Sequence, residues 1–153
     1  MVKVERSYPA PESLAREKAK KSGTYNTEEV ALRLGQDFNY KCYICELGHI
    51  QDPQIEHLLP HNGGADRNRM FDWENLFYSC GRCNSIKNSN KYAEGIIDCC
   101  KEDPEVFLSQ TYSDGDVCID IRKPTDDPRI LRTINLLNDV YNNRKTGIRT
   151  LSC

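Results

Sequence analysis

Two short runs, Cys42-Tyr43-Ile44-Cys45 and Cys80-Gly81-Arg82-Cys83, decide how the rest of the chain is read. The 34 residues between them are mostly polar and rich in turn formers such as His61-Asn62-Gly63-Gly64. Two stretches there read as strands, Ile55-Glu56-His57-Leu58-Leu59 and Leu76-Phe77-Tyr78, and a short helix over 82–91 follows the second. A strand, long loop, strand and helix with so little apolar surface cannot offset the entropy of ordering it. Four thiolates in two Cys-x-x-Cys knuckles supply the missing cohesion, because a tetrahedral zinc site prefers soft sulfur ligands and each knuckle brings two sulfurs to one ion. Such an ion contributes about 10 kcal/mol or more to folding. Free thiols in a core, or a redox Cys-x-x-Cys pair, fit two pairs bracketing a polar segment less well.

Around this centre, 153 residues and 17.6 kDa suit one α+β domain. Its parts are an N-terminal arm and helices over 1–40, a zinc-braced core over 41–91, and a C-terminal strand with a helical flank over 92–153. No window approaches the roughly 18 apolar residues of a membrane span, and Met1 to Arg6 has no apolar leader, which places the chain in the cytoplasm. A reducing compartment favours metal ligation over disulfides for paired cysteines. Cys99, Cys100 and Cys118 lack such spacing and read as buried small residues, and Cys153 as a tail thiol. Net charge is −2, from 21 basic and 23 acidic residues, so nucleic-acid binding would need a local basic surface or a partner. The run Arg16, Lys18, Lys20, Lys21 could track phosphates, or equally be a solvated helix face.

The flanks read as follows. An extended arm over 1–12 precedes a polar helix from Ser13 that Gly23 ends. Thr27 caps a second helix, whose Val30, Leu32, Leu34 and Phe38 define no single stripe. Pro104 to Leu108 suits a helical turn. Val117 to Arg122 alternates as a strand with Val117, Ile119 and Ile121 on one buried face. Arg129 to Arg144 is the strongest helix, with Ile130, Ile134, Leu137 and Tyr141 at helical spacing.

Inside the braced segment, Glu56, His57, Asn75, Asn84 and Lys87 form a set able to cleave a phosphodiester. The reaction needs a deprotonated water, an ion to take up charge at phosphate and leaving oxygen, and a group that orients the base. His57 titrates near 6.5 when unperturbed and can be the base, while Glu56 and Asn84 are oxygen ligands for a divalent ion. Asn84, Lys87 and Asn88 share a helix face, so Asn88 could complete the shell and Lys87 or Arg82 hold a phosphate. His61 follows His57 by four residues and could serve a metal or phosphate. Each residue alone is more ordinary: a Glu-His pair beside a strand is usually structural, and asparagines are turn residues. Adjacent strand residues also face opposite ways, so Glu56 and His57 share a site only at a strand end, which Pro60 makes reasonable.

The pattern Glu56-His57-Leu58-Leu59-Pro60 with Gly63-Gly64, then Asn75-Leu76, then Cys80-Gly81-Arg82-Cys83-Asn84 and Lys87, resembles the HNH endonuclease family. The resemblance implies a ββα-metal core with flanking α-helices, a structural Zn²⁺ on Cys42, Cys45, Cys80 and Cys83, His57 as base and Asn75 holding the base or its loop. It implies Glu56 and Asn84 as ligands of a catalytic ion, where Glu and Asn in place of the commoner Asp and His favour Mg²⁺ or Mn²⁺. The opening Met1 to Arg6 with Pro9 and Pro11, Asp37 to Glu46, Asp72 to Phe77 and Thr133 to Asn138 are similar to the HNH subunit of Septu-type bacterial anti-phage systems. That similarity implies an ABC-type ATPase partner and a nucleic-acid substrate, DNA before RNA. A non-catalytic zinc module that binds nucleic acid or protein is the alternative.

Overall fold

The computed structural model describes residues 1–88, 90–113 and 116–142. Along them run α1 (Glu12–Ala19), α2 (Glu28–Asp37), β1 (Pro53–His57), α3 (Arg67–Met70), β2 (Leu76–Cys80), α4 (Gly81–Lys87), β3 (Leu108–Ser113), β4 (Asp116–Ile121) and α5 (Pro128–Tyr141). β1 and β2 pair antiparallel, with Glu56 opposite Phe77 and His57 opposite Leu76. α4 begins where β2 ends and packs on both strands. β3 and β4 form a second antiparallel hairpin, against which α5 lies. The result is a mixed α+β domain with two small sheets, and no helix among the described residues is long and apolar enough to cross a membrane.

α2 forms because the Thr27 hydroxyl accepts from Val30 N–H and Glu28 and Glu29 occupy the first turn. Its inner face is a single stripe after all: Val30, Leu34 and Phe38 recur every four residues and are buried, while Leu32 points to solvent. Phe38 meets Phe77 of β2 edge-on at 5.7 Å, which fixes the helix on the β1–β2 sheet. Each fully buried Val, Leu or Phe contributes about 1.5–3 kcal/mol of apolar transfer. α5 starts at Asp127, whose side chain accepts from Arg129 N–H, with Pro128 in the first turn. Its buried stripe runs Ile130, Thr133, Leu137, Val140, and the expected members Ile134 and Tyr141 sit at its half-buried margin. Thr133 belongs to the stripe because its hydroxyl accepts from Ile97 N–H at 2.9 Å and donates to Arg129 carbonyl. The expected extension of α5 to Arg144, and Cys153, lie outside the described residues.

The segment between the strands is more ordered than its polarity suggests. Asp66 caps α3, Asp72 caps a 3-10 turn at Trp73–Asn75, and Phe71 and Trp73 drop into the core. The N-terminal arm is tied down there too: Arg6 lies over Trp73 at 4.9 Å and Phe77 at 5.0 Å and donates to the Trp73 and Leu76 carbonyls at 2.9 Å. Val4 N–H donates to Cys99 carbonyl.

Several expectations are corrected. The helix after β2 stops at Lys87, with Asn88 as its C-cap, so it does not run on to Lys91. The turn at Pro104–Val106 is 3-10 and hands over to β3, whose polar Ser109 to Ser113 carry no alternation to announce a strand. β4 has no fully buried face: Val117 and Ile119 are half-buried and Ile121 is exposed, because one helix covers only part of a two-stranded sheet. Cys118 accordingly points outward, and Cys100 is half-buried, leaving Cys99 as the buried one of the three.

Candidate active site

The four paired cysteines meet at one point. In the first knuckle Glu46 N–H donates to Cys42 carbonyl at 2.9 Å, and Glu46 takes φ +60° so that the chain turns back. The second knuckle straddles the β2–α4 junction, where Cys80 caps the helix by accepting Cys83 N–H at its sulfur, 3.4 Å away. All four sulfurs lie within 4.8 Å of one another, Cys45 and Cys80 at 4.0 Å. Sulfurs about 2.3 Å from a tetrahedral zinc stand about 3.8 Å apart, so a small contraction lets this cluster hold a metal ion such as zinc. The cluster joins the chain before β1 to the start of α4.

A cleft of about 340 Å³ opens between β1, α4 and the loop after β1, and its walls include Glu56, His57, His61, Asn84, Lys87 and Asn88. His57 is the last residue of β1, so the pleat does not keep it from the cleft that Glu56 also reaches. Its Nε2 lies 3.1 Å from the Met70 carbonyl. A carbonyl only accepts, so Nε2 carries the proton and Nδ1 keeps the lone pair. Tyr25 meets the ring edge-on at 4.5 Å, and the His61 ring stands 4.4 Å away. Burial, reinforced by the nearby His61 and Lys87 and opposed by the Met70 contact, lowers the imidazole pKa to about 4, well below the 6.5 of a free histidine. At neutral pH His57 is an uncharged acceptor.

Glu56 is fully buried. Its Oε2 accepts from the Tyr43 hydroxyl at 2.5 Å, and Lys87 Nζ approaches Oε1 to 2.6 Å. The second contact is a short ion pair, and the Lys87 ammonium also donates to the His57 and Leu58 carbonyls, both at 2.9 Å. Burial pushes the Glu56 carboxyl pKa up against the pull of Lys87. Lys87 is thus a buried strut from α4 to the end of β1, not an exposed phosphate grip.

Asn75 does not touch His57 but holds the loop that positions it. Its Nδ2 donates to the Leu59 and Arg69 carbonyls at 2.9 and 3.1 Å, and its Oδ1 accepts Leu59 N–H at 2.8 Å. The residue after Arg69 is Met70, whose carbonyl orients His57. Asn84 donates to Gln54 Oε1 at 2.7 Å, and its Oδ1 accepts from exposed Asn88 at 2.9 Å. His61 accepts Gly64 N–H at Nδ1, 2.8 Å, which leaves its proton on Nε2. Arg82 turns away from the cleft to the Val140 carbonyl at 3.2 Å. Sequence reasoning missed Tyr43, Tyr25 and Gln54 as partners. Tyr43, inside a cysteine knuckle, had a readable signal in its place next to Cys42. Tyr25 and Gln54 had none, because only the tertiary fold brings them in.

No family model, no curated protein and no solved structure matches this chain.

Proposed function

We propose that the chain is a metal-dependent endonuclease of HNH type that hydrolyses phosphodiester bonds, DNA first, with β1, β2 and α4 as its ββα-metal unit. The observation that carries this reading is the cleft itself, whose walls include both a neutral histidine with a fixed tautomer at a strand end and Asn84 on the helix that holds Cys83 and is capped by Cys80, two of the clustered cysteines. His57 Nδ1 takes the proton of the attacking water. The Met70 carbonyl holds the ring, and Asn75 holds the segment bearing that carbonyl. Glu56 and Asn84, with Asn88 beside Asn84, would hold Mg²⁺ or Mn²⁺: the donors are oxygens, and Lys87, 2.6 Å from Oε1 of Glu56, would share that carboxylate with the ion. Bound there, the ion supplies neutralising charge for the scissile phosphate and leaving oxygen. His61 offers a second N–H donor for a phosphate oxygen. The ion on the four cysteines is zinc and takes no part in the chemistry. The ABC-type ATPase partner and the anti-phage role rest on the resemblance of the outer blocks, and a net acidic chain suits a nuclease whose control comes from another subunit.

The test is plasmid cleavage with Mg²⁺ or Mn²⁺, alone and with the ATPase subunit, alongside an RNA of equal length. His57→Ala should abolish cleavage while zinc content and circular dichroism stay unchanged; cleavage at the wild-type rate would falsify the base assignment. One observation favours a second reading, a non-catalytic zinc module: the Glu56 carboxylate already has a lysine partner. That reading predicts no cleavage of either polymer with any ion or partner.

A further inference from the structure

The cleft continues outward into a basic strip that the site described above does not include. Lys18, Lys20 and Lys21 at the end of α1 and Arg67 and Arg69 of α3 are 50 residues apart in sequence but are fastened together. Arg67 donates to the Lys18 and Lys20 carbonyls at 2.7 and 2.8 Å, and Lys18 Nζ donates to Asn68 Oδ1 at 2.8 Å. The end of α1 is seated firmly, since a Cβ at Gly23 would sit 1.8 Å from the Glu17 carbonyl oxygen. Of these five cations, Lys20 and Arg69 pair with Glu17 and Asp66, in a chain whose net charge is −2.

Two contacts make the strip continuous with the cleft. Arg69 Nη1 donates to the carbonyl of Pro60, a cleft residue, at 3.4 Å. From the end of α1 the chain runs through Gly23 to Tyr25, whose ring lies against both His57 and His61. The cleft rim is therefore the inner end of the strip, and Lys18, Lys20, Lys21 and Arg69 are exposed along it.

We propose that this strip is the phosphate-tracking site that lays a nucleic-acid backbone across the cleft, with a duplex or a single strand as the source of the phosphates. Clustered Lys and Arg bind phosphates without reading bases, and each contact releases a condensed counterion. The proposal rests on the nuclease reading of the cleft for its purpose, but its test is binding, which cleavage does not decide.

Labelled 20-base duplex and single-stranded DNA are titrated by fluorescence anisotropy without added divalent ion, from 50 to 200 mM salt. Lys21→Gln/Arg69→Gln should weaken binding about tenfold at 100 mM salt and flatten the salt slope by about 1.8 for a duplex, at about 0.9 per lost contact. Arg67 is left intact because it fastens the strip. Lys101→Gln/Lys123→Gln removes the same charge elsewhere and should leave the slope unchanged. Wild-type slope in the strip variant, equal loss in the control, or no binding of either polymer by the wild-type chain at 50 mM salt overturns the proposal. The source of the phosphates is the polymer whose slope change, divided by about 0.9 per contact for a duplex or about 0.7 for a single strand, comes closer to two lost contacts. Binding through the strip without any cleavage would sink the nuclease reading alone, and wild-type binding by a strip variant that still cleaves would sink the strip alone.

Discussion

Replacing Lys87 by Met removes one charge from a place with almost no water: the side chains of Lys87 and Glu56 are 3% and 0% exposed. Methionine keeps most of the aliphatic stem, so the cavity is small and the cost is electrostatic. Glu56 keeps only Tyr43, so the fold must either hold an unpaired buried carboxylate or protonate it, and the His57 and Leu58 carbonyls each lose a charged donor. Breaking a buried pair from one side costs about 3–5 kcal/mol, a large part of the roughly 5–15 kcal/mol that holds a domain together. At a urea m-value near 1.5 kcal/mol/M the unfolding midpoint falls by about 2–3 M. Glu56→Gln/Lys87→Met removes the stranded charge as well and should recover much of the loss, giving a large coupling energy in the double-mutant cycle. If Lys87→Met moves the midpoint by less than about 0.3 M, or the double variant is no better than the single, the ammonium is not what compensates Glu56. The same pair of variants probes the ion site proposed at Glu56. With Lys87 gone, Mn²⁺ should stabilise the single variant by about 2.7 kcal/mol at a hundredfold excess over its Kd, and the double variant much less.

Two further outcomes follow from the same contacts. Stripping metal from the cysteine cluster, or Cys80→Ser, should release one zinc per chain and unfold the protein cooperatively by circular dichroism, since about 10 kcal/mol of binding energy is lost; a spectrum that survives metal removal would show that the core needs no ion. Asn75→Asp keeps the shape of the side chain but turns the donor facing the Leu59 and Arg69 carbonyls into an acceptor. Its cost is about 3 kcal/mol, seen by calorimetry as a midpoint about 6–12 °C lower, and an unchanged midpoint would contradict the loop-holding role.

The four cysteines were legible because spacing alone brings ligands together in each knuckle, and the two strands and following helix were legible from short apolar runs between turn residues. The role of Asn75 entered only through the family resemblance, as holding either the base or its loop; its three side-chain hydrogen bonds all go to the loop. The partners of Glu56 were not legible. Lys87 shares a helix face with Asn84 in sequence, and nothing local says that its chain turns inward over the end of β1. Its burial, like the depressed pKa of His57, depends on how closely α4 and the loop after β1 approach, which is a tertiary quantity. Arg82 was misplaced for a similar reason: it leaves α4 on the side covered by α5, an element more than 45 residues later in the chain. β3 escaped notice because its pairing with β4 does not rely on an apolar face.

Arg6 also bears on how the molecule is made. Its guanidinium, held over Trp73 and Phe77, lies 3.4 Å from the sulfur of Cys100, 94 residues further along the chain. A ribosome adding about 5–20 residues per second therefore exposes the N-terminal arm for several seconds before its docking surface exists. During that interval Lys3 and Arg6 lie among Val2, Val4, Glu5 and Tyr8 without the carbonyls they bond in the fold, open to chaperones and proteases. A chain stalled before Cys100 therefore lacks part of the clasp on Arg6 as well as the residues that follow.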